Sequence, residues 1–236
     1  MEKREQLYEG KAKKVFATDD PEKVIVSYKD DATAFDGLKK GTIAGKGVVN
    51  NRMSNFLMQI LEKNGVPTHF VEELSDRETV VKKVEIVKLE VIIRNISAGS
   101  FAKRFGVEEG IVFDEPTIEF SYKNDDLHDP LMNAYHAIAL KVATREEIEQ
   151  IKAYAFKVNE VMKAYFLKLG VKLVDFKLEF GRLSDGTVVL ADEISPDTCR
   201  FWDAETNEKL DKDRFRRDLG NVEDAYAEMM RRVFGE

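Results

Sequence analysis

Apolar and polar positions alternate through 171–180. Val174, Phe176, Leu178 and Phe180 would take one face and Asp175, Lys177 and Glu179 the other, the period-two pattern of a half-buried strand. Ser184-Asp185-Gly186 then supplies turn chemistry before a second apolar run at 188–191, which predicts a hairpin. With Leu183 paired to Val188, Glu179 falls directly opposite Asp192. A helical period in Val49, Met53, Phe56, Leu57, Ile60 and Leu61 predicts a helix over 48–63, ended by Asn64-Gly65. A second helix starts at a capping box, Thr144 with Glu147, and turns Ile148, Ile151, Tyr154, Ala155, Val158, Met162 and Phe166 inward as far as residue 169. Further strands are predicted over 5–16, 24–28, 68–73, 79–83, 85–94 and 118–123, and short helices over 101–105, 211–218 and 221–234. Residues 30–37 and 124–130 read as polar loops, and 192–203 as a polar span beside a proline-fixed turn.

Composition narrows the class. A chain of 236 residues allows one large domain or two lobes sharing a cleft, and 43% hydrophobic content with 15 Phe suffices for a core. The net charge of -7 argues against a nucleic-acid partner held by a basic surface. One cysteine, Cys199, cannot form an internal disulfide, and with no histidine beside it Cys199 reads as packing. There is no apolar leader and no apolar run of membrane-spanning length, so a cytoplasmic setting without a membrane partner is expected.

The candidate chemistry lies in four places. Two carboxylates facing each other, Glu179 and Asp192, repel unless a cation joins them, and carboxylate oxygens suit Mg²⁺, which often also meets substrate phosphates. In the first predicted strand Lys11, Lys13 and Val15 share a face while Gly10 and Ala12 keep the other side small. Two lysines roughly 6–7 Å apart along one face reach neighbouring phosphates, or simply guard an edge strand. The glycines of 39–47 are one residue too close for a nucleotide P-loop, and Gly47 stands where Ser or Thr is required. What remains is a Gly-rich turn opening a helix, an anion site by backbone donors. Arg94 ends an apolar strand, with Ser100 at a helix start beyond it, a pair suited to phosphate or equally to a structural ion pair and a cap. The connection at Val81-Lys82 offers a place for a nucleotide base. Asp129 is either solvated or a further metal contact, and Lys212 and Arg216 lie within reach of a ligand.

Taken together, Tyr8-Glu9-Gly10-Lys11-Ala12-Lys13, Thr33-Ala34-Phe35-Asp36-Gly37, Glu90-Val91-Ile92-Ile93-Arg94-Asn95 with Ala98-Gly99-Ser100, Asp175-Phe176-Lys177-Leu178-Glu179-Phe180-Gly181 and Asp192-Glu193-Ile194-Ser195-Pro196-Asp197-Thr198-Cys199-Arg200 resemble the SAICAR synthetase family. The resemblance spans the chain. It implies an ATP-dependent ligase joining carboxyaminoimidazole ribonucleotide (CAIR) to L-aspartate with release of ADP and phosphate, and commonly a homodimer. It implies a two-lobed α+β fold: a small, kinase-like N-terminal antiparallel sheet lobe over 1–83 and a larger C-terminal α/β lobe over 84–236, with ATP between them. By the same resemblance Lys11 and Lys13 hold the ATP phosphates, and Gly10, Ala12, Val15 and Lys82 line the nucleotide. Glu179 and Asp192 hold Mg²⁺. Lys177 offsets charge on the transferring phosphoryl group or binds substrate, which makes Lys177, Asp175 and Glu179 the expected catalytic set. Arg94, Ser100 and Arg200 hold the ribotide, chiefly its phosphate, with Asp197 on the substrate side. Asp175, Asp129 and Asp36 remain candidates for ribose, metal or aspartate. A carboxylate is a poor acyl group for an amine, and phosphorylating it creates a good leaving group, so such a site must mainly position anions and offset their charge. The rival readings are a small-molecule kinase, another carboxylate–amine ligase, or a non-catalytic nucleotide-binding module.

Overall fold

The computed structural model of the chain describes residues 1–34 and 37–235. It begins with an antiparallel meander, β1 (Lys3–Glu9), β2 (Lys13–Thr18) and β3 (Lys23–Tyr28). The single strand expected over 5–16 is therefore two. Gly10 N donates to Lys13 O at 2.8 Å and folds residues 10–12 into a tight turn. Where the sequence predicts a polar loop, β4 (Asp31–Ala34) pairs with β5 (Lys39–Thr42) in a small separate hairpin.

Next comes α1 (Lys46–Lys63), capped at Gly45 in the left-handed region. The anion site expected at its start is filled by the protein itself: Asp30 accepts from Gly47 N at 2.8 Å and Gly45 N at 3.2 Å, and Arg77 pairs with the same carboxylate. The Arg77 hydrogen bonds, with the backbone donors, hold the Asp30 carboxyl down at about 2 against an ordinary 3.8. A depressed carboxylate stabilises the fold above its unfolded value, and that contribution is lost as pH falls through its folded value. We expect Asp30→Asn to flatten the decline in stability between the ordinary value and about 2. Urea midpoints at about pH 6 and about pH 3 read this, and a decline as steep as wild type would remove Asp30 from the acid limb.

The first sheet is completed by β6 (Phe70–Glu73) and β7 (Glu78–Lys82), in the order β1-β2-β3-β7-β6. Then follow β8 (Glu85–Ile96), α2 (Gly99–Phe105), β9 (Val112–Tyr122), β10 (Leu131–Met132), α3 (Ala134–Ala139) and α4 (Arg145–Lys168). After these come β11 (Val171–Arg182), β12 (Val188–Ala191), β13 (Cys199–Asp203), α5 (Asp213–Arg216) and α6 (Val222–Phe234). The second sheet runs β10-β9-β8-β11-β12, with β13 also paired to β11. The capping box of α4 forms as the sequence predicts, Thr144 accepting from Glu147 N and Glu147 accepting from Thr144 N. All the named pairings within both sheets are antiparallel, and the fold is a mixed α/β one.

The main core lies on one face of the second sheet. Val87, Leu89, Val91 and Ile93 of β8 and Phe176, Leu178 and Phe180 of β11 meet the apolar stripes of α4, α1 and α6 there. Val174 does not join them. The β11–β13 register shifts between Leu173 and Asp175, and Val174 packs with Ile96, Ala98 and Trp202 in a smaller cluster. The opposite face of the same two strands is polar and in register: Arg94 beside Asp175, Ile92 beside Lys177, Glu90 beside Glu179. Among the described residues no helix is long and apolar enough to cross a membrane.

Candidate active site

That polar face forms the floor of a cleft of about 820 Å³ whose roof includes the β1–β2 turn. Gly10, Lys11, Ala12, Lys13, Val15 and Lys82 line it from the first sheet, and Arg94, Ser100, Asp129, Asp175, Lys177, Glu179, Asp192, Asp197 and Arg200 from the rest of the chain. Asp36 and its neighbour Phe35 lie outside the described residues.

The hairpin closes one step away from the expected register. Leu183 N donates to Thr187 O, so three residues rather than four form the loop, Arg182 pairs with Val188, and Glu179 stands opposite Ala191. Asp192 lies just beyond β12, at φ 58. The like-charged pair that does face across strands is Glu179 with Glu90, and a local cation joins them: Lys177 Nζ is 2.8 Å from each. Lys123, at the end of β9, adds a second ammonium 2.9 Å from Glu179. Asp192 pairs instead with Lys13, whose ammonium is also 3.0 Å from Glu193. Burial opposes the charge of Asp192, but Lys13, Lys177 and Lys123 outweigh it and hold the carboxyl well below its usual range. In the same way Glu179, Asp192 and Glu90 overcome burial and raise Lys177, while Asp192 and Glu193 raise Lys13. Both carboxylates of the expected metal pair thus act on one ammonium. Among the described residues no three His, Cys, Asp or Glu side chains converge closely enough to cage a metal ion alone.

Lys11 and Lys13 do not share a strand face. Lys11 lies in the turn and pairs with exposed Asp125 at 2.9 Å, whereas Lys13 begins β2 and points to the buried acids. His69, against the same wall, is pushed down to about 3 by burial and by Lys13, and stays neutral. Lys82 donates to Thr68 O at 2.9 Å. Asp129, at φ 46, accepts from Asn124 N at 2.7 Å and closes the acidic turn.

At the other end the cations are held by carboxylates. Arg94 donates to Asp175 at 2.7 Å, to Ser100 Oγ at 3.1 Å and to Glu119 at 3.2 Å. Arg200 donates to both oxygens of Asp175 and, through Nε, to Asp213 at 2.8 Å. Arg94, buried, and Arg200, half-buried, are thereby fixed in place for an anion. Asp197 pairs with the fully buried Lys46 at 2.8 Å and accepts from Tyr226. Burial pushes the Cys199 thiol up, in keeping with a packing role. Lys123, Glu90, Glu193 and Asp125 also line the cleft. No local signal marks Lys123 or Glu193, since the first acts through the β8–β9 pairing and the second through a lysine 180 positions away in sequence.

Known proteins place this arrangement. A family model described as SAICAR synthetase matches residues 6–233. The phosphoribosylaminoimidazole-succinocarboxamide synthase of Lachnoclostridium phytofermentans is 67% identical over 233 residues, 99% of each chain. The solved synthase of Ehrlichia chaffeensis is 48% identical, covers 97% of this chain and 98% of its own, and superposes with a TM-score of 0.95. A SAICAR synthetase solved in complex with ADP is 50% identical, covers 98% of both chains and also gives 0.95. A cleft walled by lysines and acids, on the fold of these synthases, belongs to an ATP-dependent ligase of purine biosynthesis. Within that class, the chain belongs to the SAICAR synthetase family.

Proposed function

We propose that the cleft joins CAIR to L-aspartate at the expense of ATP, with the anions divided between its two ends. The observation that carries this reading is the gathering of fifteen candidate positions, from Gly10 to Arg200, around one cleft, with separate cationic groups at each end. Lys11 and Lys13 take the ATP phosphates, and Val15 and Lys82 the rest of the nucleotide. Arg94, Ser100 and Arg200 take the ribotide phosphate, with Asp175 between the two arginines as their common counter-ion. Asp197 stands on the substrate side, with Asp129 as a further acid at the nucleotide end.

The donor set suits Mg²⁺, an ion usually held by one or two carboxylates together with substrate phosphates and water. Glu179 and Asp192 would hold it, and when bound it would offset charge on the phosphates. Lys177 is placed to offset charge on the phosphoryl group as it moves, an ammonium already fixed by Glu90 and Glu179. A division into lobes at residue 83/84 fits the two sheets, whose strands lie on either side of it. The proposal extends to a cytoplasmic homodimer, for which exposed Phe105, Val112 and Tyr135 offer apolar surface.

The test is ADP release from Mg²⁺-ATP and CAIR with L-aspartate present or withheld. Sustained release is expected only with the amino acid; release at full rate without it would make the protein a kinase. Lys13→Ala is expected to raise KM for ATP about tenfold or more and to leave that for CAIR little changed. An effect confined to CAIR would exchange the two ends of the cleft.

A further inference from the structure

Glu193 follows Asp192 directly, yet the two carboxylates are held differently. The Glu193 side chain is 3% exposed and that of Asp192 20%. One Glu193 oxygen accepts from Ser195 Oγ at 2.8 Å and, more weakly, from Asn50 Nδ2 of α1 at 3.4 Å. The other is 3.0 Å from the Lys13 ammonium. The segment itself is fastened to α1, because Ser54 Oγ both donates to Ile194 O at 3.1 Å and accepts from Ile194 N at 2.9 Å. The Tyr28 ring, 5.2 Å from the Lys13 Nζ, closes the remaining side. Asp192, by contrast, faces the cleft from a left-handed backbone position and feels Lys177 and Lys123 as well as Lys13.

A lysine is a point charge on a flexible stem, so its use as a phosphate donor depends on something fixing it. We propose that Glu193 is a positioning residue: it anchors the Lys13 ammonium for the nucleotide phosphates, while Asp192 is the partner that releases Lys13 when the nucleotide enters. This rests on the nucleotide reading of Lys13. The Glu193 contact is an ion pair at 3.0 Å, while the hydrogen bond of the ammonium goes to Asp192, so that donor passes to phosphate oxygen as the charge contact with Glu193 stays.

The test is a double-mutant cycle on ADP affinity, measured by titration calorimetry, together with steady-state kinetics. E193Q is expected to weaken ADP about tenfold and raise KM for ATP alike, with kcat changed less than about threefold and KM for CAIR and L-aspartate unchanged. E193D, which keeps the charge, recovers part of the loss. In a K13M background E193Q adds no further loss, because its effect passes through Lys13. If E193Q adds its full loss to K13M, or raises all three KM values equally, the anchoring is overturned while the nucleotide site stands. If K13M itself leaves ADP affinity intact, the nucleotide reading falls and the anchoring with it. S195A, which removes the hydrogen bond to Glu193 together with the one Ser195 Oγ accepts from Asp197 N at 3.1 Å, shows the same pattern on ADP more weakly and serves if E193Q does not fold; unchanged ADP affinity in S195A and E193D alike then counts against the proposal.

Discussion

Replacing Glu179 by Gln, or Asp192 by Asn, lowers Mg²⁺-dependent turnover by about two orders of magnitude or more, the loss typical when a group that stabilises developing charge is removed. Both changes keep the size of the side chain and remove one negative charge. Each also frees cations: Lys177 and Lys123 lose Glu179, and Lys13 loses Asp192. ADP affinity in the absence of metal should therefore fall little, since freed ammonium groups still attract phosphate, and the loss should appear in the Mg²⁺ dependence of the rate. Turnover titrated against Mg²⁺ reads this directly. Near wild-type rates in both variants would discard the metal assignment and leave the acids as counter-ions for the lysines.

The largest expected change in stability comes from Lys46. Its side chain is fully buried against Asp197, itself 5% exposed, with Tyr226 donating to the same carboxylate. Lys212 Nζ is a further cation near that carboxylate, at 3.6 Å. Removing one partner of a buried pair leaves an uncompensated charge, at a cost of about 3–5 kcal/mol. We expect Lys46→Met to lower the thermal midpoint by roughly 6–20 °C, taking about 2–4 °C per kcal/mol for a chain of this size. A shift of only about 2 °C would mean that Lys212 takes over the carboxylate, making Asp197 a shared counter-ion.

Local signals carried much of this fold. The alternation from Phe176 to Phe180, the Thr144 capping box and the apolar stripe of α1 are each written in residues close in sequence, and each forms. What fails to show is whatever depends on a distant partner. β13 and the β4–β5 hairpin lie in polar stretches that become strands only through their pairing. Hairpin register depended on whether three or four residues made the loop, which turn composition alone does not decide. The polar face of α1 reads as solvent-exposed in a periodic plot, but Asn50, Asn51, Ser54 and Asn55 are buried against Glu193, Ser75, Ile194 and Glu73. In the cleft, Lys13, Lys177, Glu179 and Asp192 are conspicuous as charges at the ends or on the polar face of strands. Lys123 becomes visible only once β9 lies against β8.

α1 lies in the chain between β5 and β6, within the run of strands that builds the five-stranded sheet, yet Met53, Leu57 and Leu61 are seated among residues of α4, α6 and β11. The N-terminal portion is therefore not a detachable module. Cut free at residue 83, it would expose a greasy helix with nothing to cover it, and the remainder would carry a matching gouge. α1 is thereby a post shared by both sheets, set against β3, β6 and β7 on one side and against α4 and α6 on the other.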